Sequence, residues 1–269
     1  MGITLVDGST SIRLSNIDPN DTGDYLAADK DAAKELLKKE RDRIALLQER
    51  LYAESRQSLL IVFQATDTGG KDSTIKRVFR GVNPQGCRVW GFGVPTEEEL
   101  AHDPFWRYHH HTPARGMIGI FNRSHYEEVI VVRVRNLVQP EVWQGRYEQI
   151  REFEEMLARN GTRILKFLLH ISRDEQKARL QDRLDDPAKH WKFRIGDLDD
   201  RKLWDAYQEA FEDAVNACAS KDAPWYVVPA NKKWYRDLVV ARTIADTLED
   251  MDPQWPEEEP GLDQVVIPD

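Results

Sequence analysis

Short apolar runs recur along the chain at strand length, separated by longer stretches in which apolar residues return every three or four positions. Ser58 to Ala65 is the strongest run, and Arg88 to Phe92, Met117 to Phe121, Arg163 to His170 and Trp225 to Val228 follow it. Helical spacing predicts helices over Asp29–Ser55, Lys71–Phe79, 97–110 with a break near Pro104, 124–134, 141–159, Arg173–Leu184, Arg201–Ala219 and Lys233–Leu248. Leu36, Leu37, Ile44, Leu47 and Leu51 set that spacing in the first, and Gly81 with Asn83-Pro84 stops the second. Strands alternating with helices predict an α/β fold in which five parallel strands are covered on both faces. Residues 1–57 read as an N-terminal extension holding the long helix, 58–249 as the main domain, and 250–269 as an acidic, Pro-rich tail.

Composition narrows the class. Of 269 residues, 41% are hydrophobic and 32% charged, which excludes disorder throughout. The longest wholly apolar run, Leu59 to Phe63, is far short of the roughly 20 residues a membrane span needs. The start, Met1 to Asp7, lacks a basic segment followed by an apolar one, so no secretory signal is expected and the cytoplasm is the default compartment. Two cysteines, Cys87 and Cys218, exclude a disulfide framework and fit a reducing environment. A net charge of -9 argues against nucleic acid as a partner. Residues 71–135 nevertheless carry ten Lys and Arg against seven Asp and Glu, while residues 246–269 hold nine acids and no base. Such a cationic zone is either a discrete anion site or a mixed, solvated surface.

The strand ending at Ala65 runs into Thr66-Asp67-Thr68-Gly69-Gly70-Lys71 and then a helix. Backbone N–H groups of such a turn, aided by the helix dipole, form a phosphate cradle to which the lysine adds a mobile charge. The pattern G-x-x-x-x-G-K-[ST] is met only in part, with Ala65 at its first glycine and Asp72 at its last position. Asp67 is repulsive to phosphate unless a metal or an acceptor proton intervenes; its structural use would be an Asx turn. Polar residues after the third strand, Asn122-Arg123-Ser124-His125-Tyr126-Glu127-Glu128, face the same crevice at the carboxyl end of a parallel sheet. Arg123 there can fork onto phosphate oxygens or form a helix-start salt bridge.

Six segments taken together resemble family-2 polyphosphate kinases: Gln64 to Asp72, Asn83-Pro84-Gln85-Gly86, Gly119 to Glu127, Asp186 to Lys192, Ala223-Pro224-Trp225-Tyr226 and Lys233-Trp234-Tyr235-Arg236. The match runs in order from about residue 30 to 249. It implies a P-loop kinase fold, a three-layer α/β/α sandwich with a helical lid at about 184–201, and magnesium as cofactor. It further implies phosphate transfer between inorganic polyphosphate and nucleotides. Lys71 would then act on the transferring phosphate, Asp67 would position magnesium or the acceptor, and Arg123 and Arg133 would bind phosphates. Thr68, Gly69, Gly70 and Asp72 complete the loop. Asn122 and Glu127 stand where much of the family has Asp and Asn, a combination resembling the class III subgroup, which takes nucleoside monophosphates as well as diphosphates. The resemblance thereby implies conversion of AMP to ADP to ATP without fixing the favoured direction, with guanine nucleotides as further candidates and a homodimer or homotetramer as the expected assembly. Ala65 and Ser73 depart from the family's glycines, and Ala65 brings a methyl group where positive φ is a concern.

A polyphosphate chain needs a cationic track longer than one loop, and Lys76 and Arg77, with Arg80, are placed to supply it on the helix after the loop. The basic lid segment holds Lys189, His190, Lys192 and Arg194, and Arg179 and Arg183 lie four apart on the helix leading into it, suited to phosphates or to pairing with Glu175 and Asp182. His109-His110-His111 cannot converge on one metal, because neighbours on a helix point about 100° apart. Two rival functions remain at this point: an ATP-dependent nucleotide or small-molecule kinase, and a polyphosphate or nucleotide sensor impaired in catalysis, for which Ala65 is the hint.

Overall fold

The structure, a computed structural model, describes residues 2–268. Its elements run β1 (Thr4–Val6), α1 (Lys30–Glu54), β2 (Ser58–Gln64), α2 (Lys71–Val78), β3 (Cys87–Gly91), α3 (Glu97–Ala101), α4 (Trp106–His109) and β4 (Ile118–Asn122). They continue with α5 (Val131–Val134), α6 (Pro140–Arg159), β5 (Thr162–His170), α7 (Arg173–Asp185), α8 (Gly196–Lys202), α9 (Trp204–Cys218), β6 (Trp225–Pro229) and α10 (Lys233–Asp250). The five expected strands pair in parallel in the order β6-β5-β2-β4-β3. The sheet has a sixth strand that the pattern did not predict: β1 pairs antiparallel with β6, Thr4 opposite Val227. A three-residue edge strand is too short to show a period of two. Two predicted helices also differ. Residues 124–134 form a 3-10 turn over His125–Glu128 and the single turn of α5, and α8 precedes α9 with a break at Leu203.

β2 is buried along its whole length, as the central position in the sheet requires. Its alternation divides the core: Leu59, Ile61 and Phe63 join α1, α2 and α10 on one face, whereas Leu60 and Val62 join α6 and α9 on the other. Three layers result. The region expected as an extension contributes to them, since Ala33, Leu37, Ile44 and Leu51 of α1 share the first core with Leu238, Ala241, Ile244 and Ala245 of α10. From Gln254 onward the tail lies on the surface, with Glu257, Glu258 and Glu259 exposed.

One polar residue interrupts the second core. Lys166 follows Ile164 and precedes Leu168 on the same face of β5, and it is fully buried. Its Nζ donates to Glu154 Oε2 at 2.6 Å, to the Tyr126 hydroxyl at 2.9 Å and to the Cys218 carbonyl at 2.7 Å. Against the upward push of burial, Lys166 and His125 hold the Glu154 carboxyl below its usual range. The pair's contribution is therefore present above the ordinary carboxylate pKa and lost as pH falls through the lowered value. Lys166→Met, which strands a buried carboxylate, is expected to lower the free energy of unfolding by about 3–5 kcal/mol. Urea denaturation should show part of that loss recovered when Glu154→Gln is added.

Candidate active site

The loop between β2 and α2 holds two left-handed residues, Thr68 at φ 62° and Gly70 at φ 104°. Gly70 admits no side chain, because a Cβ there would meet Arg236 Nη1 at 2.1 Å. Gly69 is equally constrained, since a Cβ would lie 2.4 Å from the Cβ of Ala65. The positive φ that the sequence raised for Ala65 falls instead on Thr68 and Gly70, so the Ala65 methyl imposes no backbone strain. The loop ends at the start of α2, where the first-turn N–H groups have no intrahelical acceptors and face the concavity. The Thr66 and Thr68 hydroxyls are buried there without protein partners.

Around this cradle the structure gathers nine of the predicted residues: Asp67, Thr68, Gly69, Gly70, Lys71, Asp72, Asn122, Arg123 and Glu127. Lys71 folds back so that its Nζ donates to the Ala65 carbonyl at 3.0 Å. Burial, then the nearby Arg123, lowers its pKa. Arg123, at the end of β4, donates through Nη2 to Asp67 Oδ1 at 3.2 Å. The Asn122 amide donates to the Asp72 carboxylate, joining the end of β4 to the first turn of α2. Burial raises the pKa of Glu127, opposed by the nearby charges of Arg123 and Lys71.

Other predicted residues lie elsewhere. Arg133 is held by Glu209 and Asp213 of α9 over the ring of Trp143, and none of its contacts reaches the loop. Lys189 pairs with Asp182 and Asp186, and Lys192 lies over the ring of the exposed Trp191, so neither touches the loop here. Lys76 is exposed. Arg77 turns to Asp237 at 2.9 Å and lines a cavity of about 820 Å³ between α1, α2 and the start of α10. Arg183 reaches the Lys192 carbonyl at 2.9 Å and the Asp197 carboxylate at 3.5 Å, which ties α7 to α8.

Sequence reasoning missed Asp197. It belongs to α8, and burial followed by the charge of Asp67 raises its pKa. No motif marks it, because the approach of α8 to the loop is a tertiary event. Arg179 takes the pairing role, bonding Glu175, and its guanidinium also donates to the carbonyls of Thr68, Gly69 and Ala230. It supports the loop rather than facing the cradle. Gln176 adds a bond to the Asp67 carbonyl at 3.2 Å. Arg236, fully buried beneath Gly70, donates to Ser73 Oγ and Asp237, and its Nη1 has no partner.

Such a site binds and orients phosphates: a cradle of N–H groups, two cations, and carboxylates that oppose one another across it. Comparison with known proteins agrees with this chemistry. The profile of the family described as Polyphosphate kinase 2 matches residues 27–256. The chain is 56% identical over 254 residues to the AMP/ADP-polyphosphate phosphotransferase of Meiothermus ruber, covering 94% of this chain and 95% of that one. It is 44% identical to the ADP-polyphosphate phosphotransferase of Rhodopseudomonas palustris, covering 87% and 85%. The crystal structure of Polyphosphate Kinase 2 from Arthrobacter aurescens superposes with a TM-score of 0.90 at 41% identity, covering 93% of this chain and 90% of that one. A P-loop kinase sandwich with this loop and these matches leaves one assignment: the chain belongs to the polyphosphate kinase 2 family.

Proposed function

We propose that the protein moves phosphoryl groups between inorganic polyphosphate and nucleotides, converting AMP and ADP to ADP and ATP. The observation that carries this reading is the convergence of Lys71, Arg123, Asp67 and Glu127 at the carboxyl ends of β2 and β4. The names of the similar Meiothermus and Rhodopseudomonas proteins support the substrate classes. Phosphoryl transfer needs little covalent help, so positioning and charge neutralisation suffice. Lys71, released from the Ala65 carbonyl, meets the transferring phosphate. Arg123, turning from Asp67, stabilises the charge on its oxygens. Glu127 and Asn122 select the acceptor, and they favour monophosphate as well as diphosphate use.

A divalent metal is expected in a phosphotransferase of this family, and we assign magnesium. The donor set fits it: Asp67 and Asp197 are oxygen donors close enough for one charge to raise the pKa of the other. Among the described residues no cluster of three or more His, Cys, Asp or Glu forms a metal cage. Magnesium suits such a site, because it commonly takes one or two carboxylates and leaves its other positions to water and phosphate. When bound, the ion supplies charge neutralisation on phosphate oxygens.

The cavity beside α2 extends the site into a track for a polyanion. Lys34, Arg41, Arg77, Arg80, Lys232 and Lys233 line it against one acid, Asp237. Burial, then Arg80, holds the Arg41 guanidinium below its usual pKa, with Asp237 opposing. Segment 184–201 serves as the lid, with Asp197 tied to Arg183 of α7 and with Lys189 and Lys192 available as it closes. No helix among the described residues is long and apolar enough to cross a membrane. Guanine nucleotides as further acceptors, a cytoplasmic location and a homodimer or homotetramer complete the reading.

Chromatography of nucleotides after incubation with magnesium, polyphosphate and AMP or ADP should show ADP and ATP formed from AMP. ATP from ADP alone would remove the monophosphate part, and product without polyphosphate would point to an ATP-dependent nucleotide kinase. Lys71→Ala and Asp67→Ala should each lower transfer by at least about a hundredfold with unchanged circular dichroism. Gly70→Ala should lose transfer to a similar extent, whereas Ala65→Gly should stay within about threefold of the parent rate. Arg77→Ala with Arg80→Ala should raise KM for polyphosphate and flatten its salt dependence, leaving KM for the nucleotide unchanged.

A further inference from the structure

The stretch that carries Arg123 and Glu127 has an unusual backbone and an unusual anchor. Arg123 adopts φ 64°, a left-handed conformation that a non-glycine residue keeps only where its surroundings enforce it. Directly after it, residues 125–128 form one 3-10 turn. His125, Tyr126 and Glu128 are buried, whereas Glu127 is half-buried and near enough to Lys71 and Arg123 to feel both charges. With three residues per turn, fixing the directions of 125, 126 and 128 fixes that of 127.

Both sides of the turn are held by buried polar bonds. On one side Glu154 of α6 accepts from His125 Nε2 at 3.0 Å and from the Tyr126 hydroxyl at 2.9 Å, both on Oε1, while Oε2 takes Lys166. Because a carboxylate only accepts, His125 carries its proton on Nε2. Its Nδ1 has no partner, and Phe105, Tyr108 and Phe153 surround the ring. On the other side Glu128 accepts from Arg146 at 2.7 Å and from the Tyr108 hydroxyl at 3.3 Å. Ser124 closes the arrangement, its Oγ accepting from Gln64 at 3.2 Å and from the Tyr126 N–H at 3.2 Å.

A buried ion pair is poor value for stability, since apolar residues of similar volume often serve as well. Its position under the turn gives it another use. We infer that Glu154, acting through His125 and Tyr126, is a positioning residue that sets the direction of Glu127 and the strained backbone of Arg123 for phosphoryl transfer. This rests on the reading of Arg123 and Glu127 as site residues. Glu154 touches no substrate. A small misplacement of groups that act on the transferring phosphate slows the chemical step while leaving the loop and the cationic cavity to bind ligands as before.

The test compares three replacements of one residue. His125→Gln keeps an N–H donor near the Nε2 position, His125→Asn puts it where Nδ1 lies, and His125→Phe fills the aromatic cage with no donor. Expected are a fall in kcat of about 10- to 100-fold for the Asn and Phe variants, and a kcat within about threefold of the parent for the Gln variant. KM for both substrates should stay within about twofold, and calorimetry should still find one nucleotide bound per chain, so that loss of folded protein does not account for the fall. A His125→Phe protein that binds nucleotide and keeps the parent kcat overturns the inference. So do Gln and Asn variants that lose kcat equally and in step with their melting temperatures. If His125→Phe does not fold, the Gln and Asn pair decides. Lys71→Ala, assayed alongside, separates the two readings: activity in that variant removes the site itself, whereas an inactive Lys71→Ala beside a fully active His125→Phe removes only the role given to Glu154.

Discussion

Arg179 holds carbonyl groups from two places in the chain at once, Thr68 and Gly69 of the phosphate loop and Ala230 beyond β6. In a loop with two left-handed residues, the carbonyls of Thr68 and Gly69 turn inward, away from water. Those oxygens need donors. One guanidinium with five N–H groups in a rigid fork answers that need where a lysine could not. Arg236 performs a related task under Gly70, and its contact with that residue explains why the position must be glycine. The loop is thus held from behind by two buried arginines, while Lys71 and Arg123 bond to the Ala65 carbonyl and to Asp67.

This arrangement also accounts for how the fold divides its charge. The chain is acidic overall, at -9, yet its cations collect at the carboxyl ends of the parallel strands and in the adjoining cavity. A concave cationic region of this kind focuses the field on an incoming polyanion even in an acidic protein. The helices on the α1, α2 and α10 face do double work. Their apolar sides build the first core, and their ends bring Lys34, Arg41, Arg77 and Lys233 together.

Most of the fold was legible because its inner strands β2, β4 and β5 are buried on both faces and therefore read as continuous apolar runs, while its long helices keep a clear period. Gly69, Gly70 and Lys71 were legible for a local reason, since a strand, a turn and a helix in sequence already specify a cradle. Arg123 and Glu127 followed from their place after a parallel strand. What could not be read shares one property: it depends on contacts between distant segments. Asp197 meets the loop only because α8 folds over it, and Arg179 turns its fork inward only because Ala230 stands opposite. Arg133 misled for the same reason, its partners Glu209 and Asp213 lying on α9 some 80 residues away. β1 escaped because three residues on an edge carry no pattern. Ala65 drew attention to the wrong residue, as strain in a loop follows φ rather than the presence of a methyl group.

At the centre of the site Lys71 and Arg123 stand among carboxylates, and burial shifts three of these groups. Lys71 is lowered, while Glu127 and Asp197 are raised, each shifted toward its neutral form by desolvation. Asp67 bonds to Arg123, so neither is spent on a ligand in this state. A phosphate entering the cradle competes with Asp67 for Arg123 and adds negative charge between Asp67 and Asp197. That addition is favourable only together with a cation. On the proposed reading, the same carboxylates that would repel phosphate alone make phosphate and metal binding mutually dependent, and with both ligands bound and the charges balanced, closure of the lid would exclude water and let transfer to a nucleotide outrun hydrolysis.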